Sequence, residues 1–364
     1  MYSRIVGMSS RHDDKSAPKA YYTNEGEHGH AEHDDRINLS APSVEPVSHL
    51  DASGSQKCST TSSSDSKEIK KTLRIPPRRL AFCGGGVRCV SHVGVLKALE
   101  SANLLACVKE VIGVSGGSLF ALLFALGYKV AQIEELSVNF DFNLLGAIEP
   151  EDILLFPMTL GLNSGDIMDK LITSILEAKG HDKDITFSEL AKKSRLTLRS
   201  YATELEKSKI KEMSVWTTPN MSVKTAVRAS MSLPIMYSPV KEGDSLLVDG
   251  GLLHNLPLIF LTEAEIQETW GVLFVPEEQT CVGKIESILD FFKYVYEGAL
   301  IMRNIPYIQK YKENLILLRI NGEALGFSES KKRREEFIEL ARRQTLLFLK
   351  SSTRPPLSRR YSVS

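Results

Sequence analysis

An α/β fold with a largely parallel central sheet flanked by helices is predicted by three observations. Short apolar runs alternate with stretches of helical period from Leu80 onward. Three of those runs end in glycine-marked turns, the form a strand takes when it bends sharply into the next element. The chain has 364 residues, 42% of them hydrophobic, enough for one large domain with a substantial core.

The elements follow in order. Leu80–Cys83 is an apolar strand running into Gly84-Gly85-Gly86. His92–Ser101 carries Val93, Leu96 and Leu99 on one face and reads as a helix. Val111–Val114 is the next strand and Leu119–Leu126 a buried helix. Asp166–Leu176 is amphipathic, with Ser164 or Asn163 as N-cap. Thr186-Phe187-Ser188-Glu189 has the spacing of a capping box and opens another helix. Leu196–Ala202, Met213–Thr217 and Leu246–Val248 read as strands, the last ending on Asp249-Gly250-Gly251. Thr262-Glu263-Ala264-Glu265 starts a helix, and Gly271–Val275 and Leu315–Ile320 are late strands. In such sheets, sites gather beyond the carboxyl ends of the strands, so three turns far apart in sequence can converge.

Residues 1–72 are rich in Ser, Asp, Glu, His and Gly and poor in apolar period, and are expected to be a disordered tail. His28, His30 and His33 lie within it; without a flanking scaffold they read as solvated rather than as metal ligands. A catalytic domain is expected over 73–325, an amphipathic helix over 326–350 and a disordered tail over 351–364. Lys331–Arg343 carries basic residues beside Phe337, Leu340 and Ala341; packing on the domain is favoured over a membrane-surface role. Ile153–Leu162 is a long apolar stretch around Pro157, read equally as a flap or acyl-contact loop and as a buried connection.

Forty-five Lys and Arg balance forty-five Asp and Glu, so no global field points to nucleic acid. The five cysteines are scattered without a CxxC pair, which speaks against a zinc site or a disulfide framework. The start of the chain lacks the apolar run of a secretory signal. Val111–Gly127 is just short of a spanning length and is broken by glycine and serine, as a strand-turn-helix would be. A cytoplasmic protein without a transmembrane segment is expected, with peripheral membrane contact allowed.

Ser115 stands in Gly113-Val114-Ser115-Gly116-Gly117, a G-x-S-x-G sequence. Gly113, Gly116 and Gly117 would let a tight elbow form with the hydroxyl held outward, and the following helix would favour negative charge there. Glycine and serine also make ordinary turns, so the motif alone leaves both readings open. Gly84, Gly85 and Gly86 can present backbone N–H groups to an oxyanion, with Arg88 bracing the loop or meeting an anionic head group. A phosphate loop or a plain turn competes, although no Lys-Ser/Thr pair follows and Cys89 stands where a dinucleotide fingerprint needs its last glycine. Asp249-Gly250-Gly251 can aim a carboxylate into the same cleft or be a simple Asp-Gly turn.

Taken together, in this chain order, these turns resemble the patatin-like phospholipase family. Arg228-Ala229-Ser230 with Pro234, and Asp249-Gly250-Gly251 with Asn255 and Pro257, extend the resemblance over about Leu80–Ile259. One departure is Cys89, where the family usually has glycine. The resemblance implies a three-layer fold and a Ser-Asp dyad: Ser115 attacks an acyl carbonyl, and Asp249, ionised at neutral pH, takes its proton. It implies a phospholipid or other acyl-lipid substrate and needs no cofactor or metal. His92 and His254 are the histidines within these segments and are assigned packing or hydrogen-bonding roles. The alternatives are a silent membrane-surface binding protein and an esterase or transacylase with another acyl donor. Oligomeric state is not read from the sequence.

Overall fold

The computed structural model describes residues 75–276, 285–286, 288–322 and 326–351. The N-terminal tail with His28, His30 and His33, and the tail beyond Ser351, lie outside the described residues.

The first strand, β1 (Arg79–Phe82), leads through the glycine loop and a 3-10 turn (Gly86–Ser91) into α1 (His92–Ser101). Next come β2 (Glu110–Val114), α2 (Gly116–Ala125), α3 (Val130–Asn139) and the short α4 (Asn143–Gly146). Helices α5 (Pro150–Thr159), α6 (Asp166–Ala178) and α7 (Phe187–Lys193) precede the hairpin of β3 (Thr197–Glu204) and β4 (Lys209–Ser214). The chain continues through α8 (Val223–Ser230), β5 (Val240–Glu242), β6 (Ser245–Asp249), α9 (Glu263–Gln267) and β7 (Thr269–Phe274). It ends with α10 (Ile288–Tyr311), β8 (Leu315–Leu318) and α11 (Lys331–Lys350).

These strands form one mixed sheet. β3, β2, β1, β7 and β8 are parallel neighbours in that order, and β4, β5 and β6 join antiparallel. β1 and β2 are apolar on both faces because helices cover both, so Leu80, Ala81, Phe82, Val111, Ile112 and Val114 are fully buried. At the amino ends of these strands, Arg79 pairs with Glu110 at 2.7 Å, and Arg199 pairs with Glu110 and with Glu265 at 2.7 Å. That charge lattice closes the end of the sheet opposite the glycine turns.

Helix α11 is part of this body. Phe337, Ile338, Ala341 and Leu349 are buried, and Phe348 meets Trp270 edge-on at 5.3 Å. Gly94 of α1 lets the two helices approach: a Cβ there would stand 2.0 Å from the Ile338 carbonyl oxygen. The apolar face of the basic helix is therefore spent on packing. The opposite holds for Ile153–Leu162. Of the two readings left equally open there, the buried connection does not form: the stretch enters helix α5, none of whose residues is buried, with Leu154 80% and Met158 84% exposed. Glu149 and Asp152 cap its start and Pro150 enters at the first turn, where its missing N–H costs nothing.

Smaller differences concern ends. Gly165, at φ 82°, is the N-cap of α6, while Asn163 Oδ1 and Ser164 Oγ accept from the next N–H groups. The strand expected at Met213–Thr217 lies earlier, at Lys209–Ser214.

Candidate active site

The elbow begins where β2 stops. Ser115 has φ 56° and ψ −136°, a region that costs a non-glycine residue about 1–3 kcal/mol. Two features hold it. Gly117 lies so close to the end of β1 that a Cβ would be 2.4 Å from the Phe82 carbonyl oxygen. The Ser115 N–H donates to Ser230 Oγ at 2.9 Å, and Ser230 in turn donates to the Tyr201 carbonyl at 2.6 Å. Ser118 Oγ bridges Ser230 Oγ at 2.8 Å and Ser200 Oγ at 2.9 Å, so buried hydroxyls from three elements pin the elbow. Sequence reasoning did not single out Ser118 or Ser230 as supports. Ser230 could have been found, because it is the serine of the Arg228-Ala229-Ser230 stretch.

The glycine loop passes directly over Ser115. A Cβ on Gly84 would stand 2.5 Å from Ser115 Cβ and 3.1 Å from its Oγ, so only glycine fits. Gly84 differs from expectation as an oxyanion donor: its N–H is taken by Asn255 Oδ1 at 2.7 Å, and Asn255 Nδ2 returns a bond to the Gly84 carbonyl at 2.9 Å. Among the described residues the N–H groups of Gly85 and Gly86 have no protein acceptor and are free for a ligand. Arg88 is engaged by groups other than the nucleophile. It pairs with Glu297 at 3.1 Å and lies over the Phe274 ring at 5.6 Å, bracing the loop against α10.

Asp249 ends β6 and is 1% exposed. It accepts a hydrogen bond from the Gly251 N–H at 2.7 Å, and the Ser115 side chain lies close enough to favour its charged form. Burial outweighs both neighbours and pushes the carboxyl from 3.8 up to about 7. The fully ionised base expected from the sequence is thus a group in mid-titration at neutral pH.

Neither histidine joins the pair. His92 Nε2 donates to the Cys83 carbonyl at 2.9 Å, since a carbonyl can only accept. Burial drives its pKa down to about 4, so the ring stays neutral and ties α1 to the start of the glycine loop. His254 faces the rings of Tyr307 and Phe260. Cys89 is buried beside the loop, its Sγ donating weakly to the Cys83 carbonyl at 3.7 Å, and burial first of all raises its thiol pKa. It behaves as a small core residue.

Ser115 and Asp249 open into a pocket of about 1300 Å³, counting its open mouth. Leu119, Leu123, Leu136, Met168, Leu171 and Ile175 line its depth, so beyond the polar head it offers almost only hydrocarbon.

With this geometry in hand, the comparisons are direct. The model of the patatin-like phospholipase family matches residues 80–262. The chain belongs to that family. Among its relatives, the uncharacterized protein YqhO of Bacillus subtilis is 30% identical over 292 residues, spanning 75% of this chain and 98% of its own. The uncharacterized protein R571 of Acanthamoeba polyphaga mimivirus is 28% identical over 280 residues, 74% of this chain and 93% of its own. The probable lipid hydrolase 463L of invertebrate iridescent virus 6 is 26% identical over 189 residues, 50% of this chain and 62% of its own. The crystal structure of VipD from Legionella pneumophila superposes with a TM-score of 0.50 at 16% identity, over 76% of this chain and 67% of that one, a likeness of fold. Within the patatin-like family the fold is thus that of an α/β enzyme with its glycine turns at the carboxyl end of the sheet.

Proposed function

We propose that this protein is a lipid acyl hydrolase of phospholipase A type, cleaving fatty-acyl esters of phospholipids or related glycerolipids. The observation that carries the reading is the Ser115 side chain set beside the buried Asp249 carboxyl at the head of an apolar pocket. Asp249 takes the Ser115 proton as Oγ bonds to the acyl carbon. The oxyanion then meets the N–H groups of Gly85 and Gly86 and the amino end of α2, where fixed dipoles stabilise developing charge. Asp249 returns its proton to the leaving alkoxide as the ester C–O bond breaks. Water next gives a proton to Asp249 and attacks the acyl-enzyme, and Ser115 Oγ leaves with that proton. A base near neutrality is better matched to this work than an ordinary aspartate.

The pocket lining suits an acyl chain. The catalytic domain of this reading runs over residues 73–325, with α11 packed on it. No helix among the described residues is long and apolar enough to cross a membrane. The exposed apolar residues of α5 support peripheral contact with the lipid surface instead. The test is labelling by a fluorophosphonate together with fatty-acid release from defined phospholipid vesicles read by mass spectrometry. Both should vanish in Ser115→Ala. Labelling or release that survives Ser115→Ala overturns the proposal.

A further inference from the structure

Tyr296 lies on α10, outside the family-matched span and outside every motif in the sequence. Its hydroxyl nonetheless reaches the active site. The point where a Cβ on Gly251 would stand is 2.7 Å from Tyr296 Oη, 3.0 Å from Asp249 Oδ1 and 3.5 Å from Asn255 Oδ1. Three oxygens of different chemistry therefore converge above the bare Cα of Gly251, and all three residues line the same pocket as Ser115. Tyr296 Oη and Asp249 Oδ1 are no farther apart than the sum of the first two distances, a gap one water spans.

The phenol is held there. Arg88 of the glycine loop pairs with the adjacent Glu297 at 3.1 Å, and Arg303 donates to the carbonyls of Leu252 and Leu253. Phe292 stacks beside the ring at 6.0 Å. Among the described residues the hydroxyl makes no hydrogen bond to protein. Burial and the Asp249 charge keep it protonated, so it can donate but does not act as a base. A phenol O–H facing a carboxylate and an amide oxygen at this spacing offers one water a donor and two acceptors.

We propose that Tyr296 positions the hydrolytic water of deacylation, an assignment that rests on the Ser115 acyl-enzyme reading. The phenol O–H donates to the water oxygen. Asp249 and Asn255 Oδ1 accept its two hydrogens, each carboxylate or amide oxygen having a lone pair beyond its existing bond from Gly251 or Gly84. The water's remaining lone pair faces the acyl carbon. In the step, the water oxygen bonds to that carbon while one water hydrogen passes to Asp249. The ester bond to Ser115 Oγ breaks as Oγ takes that hydrogen, and the free fatty acid leaves. Tyr296 neither gains nor loses a proton. Its contribution is orientation, typically worth one to two orders of magnitude in rate, about 10- to 100-fold.

Tyr296→Phe keeps the ring and removes only the hydroxyl. Stopped-flow hydrolysis of a p-nitrophenyl ester separates the two half-reactions. The variant should release its first equivalent of p-nitrophenolate at the wild-type rate, then turn over about 10- to 100-fold more slowly. Acyl-Ser115 should accumulate in the intact mass, and fluorophosphonate labelling should proceed at the wild-type rate, which also reports an intact fold. Wild-type turnover in Tyr296→Phe overturns the assignment, as does an equal fall of burst, labelling and turnover. A wild-type protein that is not labelled at all is a different result: the hydrolase reading itself fails and takes this inference with it.

Discussion

Val114 and Asp249 pair with consecutive residues of one strand, Val114 with Tyr201 and Asp249 with Ala202 of β3. The opposite edge of β3 is filled by β4 at both positions, so β2 and β6 share the remaining edge. β2 runs parallel to β3 and stops there; β6 runs antiparallel and stops at the same place. The two chains therefore meet head to head, which brings Ser115 against Asp249 without any long loop. Sheet register, set by buried side chains on both faces, fixes where Ser115 and Asp249 stand relative to each other.

The acid limb of the activity profile follows from the burial of Asp249. Its carboxyl must be ionised to accept the Ser115 proton, and it titrates at about 7. We expect kcat/KM for a soluble ester to rise with pH and level off above about 7. Initial rates across a buffer series check this. A profile that is flat from about pH 5 to about pH 8 removes Asp249 as the base.

The same shift makes a stability prediction of opposite sense. The folded protein retains the Asp249 proton where the unfolded chain, with its carboxyl near 3.8, has released it. The contribution is complete below the unfolded value and is lost as pH rises through the folded one. It amounts to something on the order of 4 kcal/mol between about pH 4 and about pH 7. Asp249→Asn carries no such titration. Urea melts of both proteins should therefore show the Asn variant gaining on wild type as pH rises through that window. Parallel curves would mean that the carboxyl is not held neutral by burial.

Backbone strain at the elbow separates two inactive variants. Ser115 sits at φ 56°, where alanine is as strained as serine and glycine is not. Ser115→Gly should be inactive yet more stable than Ser115→Ala by about 1 kcal/mol, read from denaturant midpoints. Equal stability would indicate that the elbow relaxes when the hydroxyl is lost.

Ser230 is the load carried by the hidden hydroxyl network. Ser230→Ala leaves the Ser115 N–H without its acceptor and Ser118 with one bond fewer, in a site closed to solvent. A cost of about 1–3 kcal/mol is expected, together with a fall in kcat that exceeds any change in KM. Undiminished kcat would show that the elbow holds itself.

The three glycine-marked turns were legible because their demands are local: a glycine run, a serine between glycines, and an Asp-Gly-Gly step each mark a strand end on their own. Convergence followed from the α/β rule alone. The supports at Ser118 and Ser230 were not legible as such, because single hydroxyls among small residues carry no period. Gly84 read as a donor because nothing in the sequence reveals that Asn255, so far along the chain, takes its N–H. The titration of Asp249 was misread for a related reason, since burial belongs to the fold rather than to the residue. Helix α5 shows the limit of apolar runs. Ile153-Leu154-Leu155-Phe156 has no polar interval to mark a face, so the sequence left an exposed flap and a buried connection equally open where the chain makes an exposed helix.

That exposed helix supplies the test of membrane contact. Leu154 and Met158 stand one turn apart on α5, both more than three-quarters exposed. Each should contribute roughly 1.5 kcal/mol on entering lipid, so Leu154→Asp with Met158→Asp should weaken vesicle binding by roughly a hundredfold. Rates on a soluble ester and the melting temperature should hardly change, because neither side chain lines the pocket or the core. Glu151 and Asp152 give the first turn of α5 an acidic character, so attraction to anionic head groups is not what this helix offers. Binding to uncharged phosphatidylcholine vesicles should accordingly persist at high salt, where screened charge no longer acts. Co-sedimentation at two ionic strengths measures this, and binding that requires anionic lipid or disappears with salt would move the contact away from α5.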